Sequence, residues 1–281
     1  MAVDFRPYSS LASLIVLLLE YILTCPSEYR YVWKTPRSNV KFIYLFSRYF
    51  GLISQCTDFL LLMTAKSRVP VEASICKAWF VSLFLCCSIL LRALDTVIML
   101  RVYALYNQSR TIAFVLIFIS FLHLGYSGVI SAQSYAHDFD GFCNMKGRHH
   151  EGAYMGAMVS AMHIFVWALA FSKRHIAFGQ APVVRMVVRE GGWMFALIIA
   201  IMGITVPFSY VNNAVRGHII FVWPSSLFSI AACRLIISMQ KLKVENIGSG
   251  MASEFELTTD ITVSIINVDG DLTMERNTCI K

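Results

Sequence analysis

The stretch AWFVSLFLCCSILLRALDTVIMLRVYA, residues 78–104, decides the fold class. It exceeds the roughly 20 apolar residues that a helix needs to cross a hydrocarbon core ~30 Å thick. Its only charged side chains are Arg92, Asp95 and Arg101. Backbone N–H and C=O groups in lipid must be satisfied within the segment, so the run reads as a transmembrane helix. The composition agrees. Of 281 residues, 57% are hydrophobic and 15% charged, whereas an ordinary soluble domain is nearer half and a quarter. Those charges are too few to coat a water-soluble globule of this size, which excludes that class.

Working outward from this helix, further apolar windows lie at 8–25, 42–64, 111–131, 152–172, 193–211 and 218–238. The expected architecture is all-α: a polytopic seven-transmembrane-helix bundle over residues 1–243. Period-2 alternation, the mark of a membrane barrel, is absent. The first window reads as a retained helix. Asp4 and Arg6 cancel before it, and no small-residue cleavage site follows Leu23-Thr24-Cys25-Pro26.

Lys and Arg in short loops orient such a bundle. The segments after the first, third and fifth spans and after the last carry Arg30, Lys34, Arg37, Lys41, Arg110, Lys173, Arg174, Arg185, Arg189, Lys241 and Lys243. The opposite side carries Arg6, Lys66, Arg68, Lys77, Lys146, Arg148 and Arg216. The bias favours an N-terminus outside and a cytoplasmic C-terminus. The sequon Asn107-Gln108-Ser109 then lies in an inner loop and stays free of sugar. Residues 244–281 hold seven acids and two bases, a net charge of −5 within a chain of +7. This polar segment reads as an acidic, disordered cytoplasmic tail. The basic body suits anionic inner-leaflet lipid. It has none of the organisation of a nucleic-acid module, so no nucleic-acid partner is expected.

With that topology, only Cys76 and Cys143 of the eight cysteines fall on the oxidising side, and they are expected to pair. The loop around Cys143 also holds His137, Asp138, Asp140, His149, His150 and Glu151. Their spacing matches no established site, so no metal is expected. Charges inside the spans are costly and mark the bundle interior. They form an expected polar network of Glu20, Arg48, Asp58, Arg92 and Asp95. Glu20 and Arg48 match in depth and are opposite in sign, which predicts a contact. Arg92 and Asp95, three apart, share a helix face. Arg101 and Arg234 lie near the inner ends and are expected to snorkel to the headgroups. With Arg110 and Arg189 they make a basic inner face. His123 and His163 read as hydrogen-bonded to neighbouring helices. Pro207 and Pro224 are expected to bend the last two spans. Those bends would open an outer pocket with Ser225 and Ser226 among its polar handles.

Several stretches resemble a known family. They are Glu20-Tyr21-Ile22-Leu23-Thr24, Glu28-Tyr29-Arg30-Tyr31-Val32-Trp33-Lys34 and Phe46-Ser47-Arg48-Tyr49. Shorter likenesses run through Leu100-Arg101-Val102-Tyr103 to Arg110, Val188-Arg189-Glu190-Gly191-Gly192, and Cys233-Arg234-Leu235-Ile236-Ile237. Together they resemble multi-pass membrane proteins of mushroom-forming (basidiomycete) fungi, whose N-terminal domain, about residues 13–54 here, has no known function. Members usually carry Asp at the positions of Glu20 and Glu190, so the charge is kept. The resemblance implies a seven-helix body and no established activity.

Seven spans, a cysteine before the third, and prolines in the last two also resemble G-protein-coupled receptors at the level of fold, which is analogy only. The chain departs from them at Leu100-Arg101-Val102-Tyr103, where no acid precedes the arginine, and it lacks Asn-Pro-x-x-Tyr in the last span. The last span also contains no lysine for a retinal Schiff base. No internal repeat suggests a transporter. No phosphate loop, His-Glu-x-x-His or Gly-x-Ser-x-Gly occurs, so neither a cofactor nor a catalytic residue is expected. The expected function is a receptor-like or sensory protein of the plasma membrane or another secretory-pathway membrane. It would take a small ligand outside and a signalling partner inside. The alternatives are a transporter or channel using the intramembrane charges, and a non-enzymatic scaffold.

Overall fold

The computed structural model describes residues 6–34, 39–66, 72–106, 109–135, 151–176, 192, 196, 199–200, 203–204 and 216–248. Six long helices account for nearly all of these. They are α1 (Arg6–Glu28), α2 (Asn39–Lys66), α3 (Ala73–Leu105), α4 (Arg110–Tyr135), α5 (Glu151–Ile176) and α6 (Arg216–Gly248). No strand occurs among the described residues. Four helical stretches are long and apolar enough to cross a membrane: Arg6–Trp33, Ser74–Tyr103, Arg110–Val129 and Phe221–Lys241. They coincide with the expected first, third, fourth and last spans, and they suggest an integral membrane protein.

The other expected spans divide. α2 is helical where a span was expected, but Arg48 and Asp58 interrupt its apolar run. α5 is helical too, with a shorter apolar stretch, Gly156–Ser172. Of the expected span 193–211, only Ala196, Ile199, Ala200, Gly203 and Ile204 are described, all helical. Cys143, Arg189, Pro207, the loop 136–150 and the tail beyond 248 lie outside the described residues. The first helix does not stop before Pro26. It passes through that proline to Glu28 and continues as a π-helical turn, Tyr29–Trp33. Proline removes one N–H from the ladder, a loss that helices in lipid absorb through neighbouring groups and local π adjustments.

Contacts between helices fix their directions. Ser9 meets Trp223, Ser13 meets Ser226, and Glu20 meets Arg234, so α1 and α6 run parallel. Trp79 meets His218, and Arg101 meets Leu235, which makes α3 parallel to α6. Asp95 contacts His163, and Tyr106 bonds Leu169, so α5 runs with α3. α2 is antiparallel to α1, with Ser10 meeting Asp58 and Thr24 meeting Arg48. α4 is antiparallel to α3, with Arg92 meeting Ser127 and Met99 meeting Ser120.

Of the four candidate spans, α6 is the most buried and α4 the least. Phe228, Ala231, Ala232, Leu235 and Ile236 of α6 pack with Leu90, Leu94 and Val97 of α3 and with Tyr44 of α2. The paired alanines let α3 approach closely, as small residues do at membrane helix interfaces. On α4, Phe114, Ile117, Phe118, Phe121 and Leu122 are exposed. A lipid tail costs such a surface nothing, whereas water would.

Candidate functional site

Buried polar side chains gather in three places. The first is built on Arg48, in the half of α2 that meets the end of α1. Its Nη2 lies 2.9 Å from Glu28 Oε2, with both side chains under 10% exposed. Nη1 donates to Tyr44 Oη at 2.7 Å and to Thr24 Oγ1 at 3.1 Å, and Nη2 also donates to the Tyr21 carbonyl at 3.0 Å. The guanidinium stacks 4.3 Å from the centre of the Tyr21 ring. Tyr21 Oη donates in turn to the Arg48 carbonyl and contacts Ser229 Oγ, which donates to the Ser47 carbonyl at 2.8 Å. A planar fork with several donors suits such a crowded site better than an ammonium. The network ties α1, α2 and α6 together.

The second centre is Asp58, near the end at which α1, α3 and α6 begin. Its Oδ2 accepts from Ser10 Oγ at 2.7 Å and lies 2.8 Å from His218 Nε2. Its Oδ1 accepts from Trp79 Nε1 at 3.1 Å, and the Trp79 ring stacks on His218. Four helices therefore meet on one carboxylate. Between these two centres, Gln55 Nε2 donates to the Val222 carbonyl and to Ser225 Oγ at 2.9 and 2.6 Å. Ser226 pairs with Ser13. Pro224 sits inside α6. Ser225 and Ser226 are buried in helix contacts, where their hydroxyls meet Gln55 of α2 and Ser13 of α1.

The third centre lies halfway along α4 and α5. Asp95 of α3 is 2% exposed. Its Oδ1 is 3.4 Å from His163 Nε2 of α5, and its Oδ2 is 3.8 Å from both His123 Nδ1 of α4 and Arg92 Nη1. Arg92 Nη2 donates to Ser127 Oγ at 3.2 Å, and Ser127 donates to the His123 carbonyl at 2.8 Å. Both Asp95 oxygens, both His123 nitrogens, His163 Nε2, and Arg92 Nε and Nη1 are buried with no hydrogen-bond partner among the described residues. Buried polar atoms are nearly always partnered, so a cluster of seven exceptions needs a reason.

The expected network thus separates. Arg92 and Asp95 do share a face and a contact, as i,i+3 neighbours. Glu20 and Arg48 do not meet. Glu20 takes a bidentate pair with Arg234 at 2.6 and 2.8 Å, while Arg48 takes Glu28. Equal depth placed both charges in one layer, but the rotation of α1 turns Glu20 toward α6. Arg234 is therefore paired, and Arg101 donates to the Leu235 carbonyl on α6 rather than only reaching outward. Arg110 opens α4 and is exposed. Among the described residues, Asp58 shares no contact partner with Arg92 or Asp95. Two site residues lie beyond what the sequence assigns: Glu28, past the end of the expected span 8–25, and His218, at the edge of the last span. His123 and His163 each stood at mid-helix beside Asp95 in depth, which was the available signal. Cys76 is disulfide-bonded, while Cys25, Cys56, Cys86, Cys87 and Cys233 are free. Among the described residues, no group of His, Cys, Asp or Glu is arranged to hold a metal ion.

Against known proteins, residues 8–53 match a family described as a family of unknown function (DUF6533). The match covers α1 and the first half of α2, and so contains Glu20, Tyr21, Glu28, Tyr44 and Arg48. Asp58 and the Asp95 cluster fall outside it. No curated protein and no solved structure matches the chain.

Proposed function

We propose that the chain is a seven-helix, receptor-like or sensory integral membrane protein, with its N-terminus outside and an acidic cytoplasmic tail. The multi-pass fungal family named above is its proposed kin. α5 and α6 run parallel, which supports a return crossing between residues 176 and 216. A crossing takes about 20 residues, and the apolar window 193–211 lies in that interval. Cation–π pairs of Arg30 with Tyr31, Lys34 with Tyr29 and Lys41 with Trp33 gather at the far end of α1. Bases with Trp and Tyr suit the cytoplasmic interface. Five cysteines are free, which leaves Cys143 and Cys279 as partners for Cys76, and Cys143 is the proposed one.

One observation carries the sensory reading: the contrast between two buried ionic centres of the same molecule. Arg48 is saturated with partners, as structural glue should be. Asp95 is equally buried and joins three helices, yet it is unsatisfied. A half-satisfied polar network in a low-dielectric interior is costly, and such cost persists where two arrangements of the helices compete. A transporter would instead favour a polar path linking Asp58 to Asp95, and the two centres share no polar partner and have only α3 in common.

The test pairs two measurements. Proximity labelling from the C-terminus of the full chain in living cells should mark a G protein or kinase, and Asp95→Asn should change that labelling about fivefold or more, as a coupling of 1–3 kcal/mol implies. Purified protein in liposomes should pass no ions or protons above the protein-free background. Ion flux with unchanged labelling in the variant would overturn the reading in favour of a transporter.

A further inference from the structure

We propose that Asp95, His123 and His163 form a buried binding site for one exchangeable proton, held between the Asp95 carboxyl and the His163 imidazole. The inference deepens the sensory reading and rests on it only for the consequence of proton binding, not for the site itself. An ionised Asp95 would present two acceptor oxygens that no hydrogen bond from the described residues satisfies. His163 Nε2 stands at 3.4 Å, and His123 Nδ1 and Arg92 Nη1 at 3.8 Å.

The charged and titratable groups facing the site can be named from each packed helix. α3 itself brings Arg92, α4 brings His123 with Ser127, and α5 brings His163. α6 packs on the neighbouring face of α3 with Phe228, Ala231 and Ala232, none of them titratable. α2 meets α3 through Asp58 and Trp79, toward the other end.

Arg92 already supplies a fixed positive charge, held toward Ser127. A dication would meet that guanidinium, which disfavours a metal. A proton has no such conflict. A neutral imidazole offers one accepting nitrogen, and a carboxylic acid has one O–H to donate to it. In transfer, the Asp95 O–H bond breaks as an N–H bond forms at His163 Nε2. A neutral acid and imidazole become a carboxylate and an imidazolium with no net change of charge. Release to water leaves the carboxylate facing Arg92. Each state pulls α4 and α5 toward α3 by different hydrogen bonds, which gives the three-helix junction two arrangements to choose between.

The test is infrared difference spectroscopy of the full chain in lipid nanodiscs, taken through the range in which His and perturbed carboxyl groups titrate, about pH 5 to 8. The C=O stretch of a protonated carboxylic acid should appear as the pH falls. It should vanish in Asp95→Asn, shift in His163→Gln and persist in Asp58→Asn. A wild-type spectrum with no such band, or a band untouched by both Asp95→Asn and His163→Gln, would overturn the proposal. If Asp95→Asn does not fold, the His163→Gln shift decides alone. A missing band alongside a C-terminal labelling response to Asp95→Asn removes the proton and leaves the sensor. A titrating band without that response does the reverse.

Discussion

Arg48→Met lowers the stability of the protein in detergent by about 3–5 kcal/mol, the usual cost of removing one partner from a buried ion pair. The loss is large because several groups lose their partner together. Glu28 keeps a buried charge with no cation at 2.9 Å. Tyr44 Oη, Thr24 Oγ1 and the Tyr21 carbonyl lose a donor, and the Tyr21 ring loses its stacked guanidinium. A methionine fills much of the volume, so packing alone explains little of the change. The double variant Arg48→Met with Glu28→Gln should recover a substantial part, since it removes the stranded charge. Denaturant or thermal unfolding of the three proteins checks this. Equal destabilisation by the single and double variants would show that Glu28 is not the group left unpaired.

Gly51→Ala is the second large effect, expected at about 1–3 kcal/mol for overpacking a tight contact. Gly51 lies one turn beyond Ser47 on α2, where α2 crosses α6. A Cβ there would stand 2.5 Å from Ser229 Oγ and 2.8 Å from Ser229 Cβ, too close for either atom. Ser229 cannot easily turn away, because its hydroxyl is engaged with the Ser47 carbonyl and Tyr21 Oη. Ser229→Gly alone loses those bonds. Combined with Gly51→Ala, it also removes both clashing atoms, so the double variant should be less destabilised than the sum of the singles. A double-mutant cycle reads that coupling directly, and strict additivity would place the close approach elsewhere.

The two substitutions touch features that differ in how far the sequence reveals them. Helix positions were legible because lipid imposes length and apolarity together. The runs at 78–104, 111–131 and 218–238 all fall within helices, and four helices carry apolar windows long enough to cross a membrane. α1 runs past the expected end at residue 25, because the helix absorbs Pro26 and a π-helical turn follows, which brings Glu28 to Arg48. Depth along a helix was legible as well, which placed Glu20 with Arg48 and Arg92 with Asp95. Depth names a layer and not a direction around the helix axis. Arg92 and Asp95 share one helix, so their spacing also fixed their direction, and they meet. Glu20 and Arg48 sit on different helices, and rotation sent Glu20 to Arg234. The same limit hid the Asp95 centre. Its histidines come from two further helices, and nothing in a single chain says which helices are neighbours.

Opposite placement of the two ends of the chain tests the seven-crossing reading most directly. Small epitopes at the N-terminus, within residues 177–191 and at the C-terminus can be probed in intact and permeabilised cells. Seven crossings predict an N-terminal tag stained without permeabilisation, with the other two stained only after it, and Asn107 free of sugar. Both termini on the same face, or glycosylation at Asn107, would contradict it.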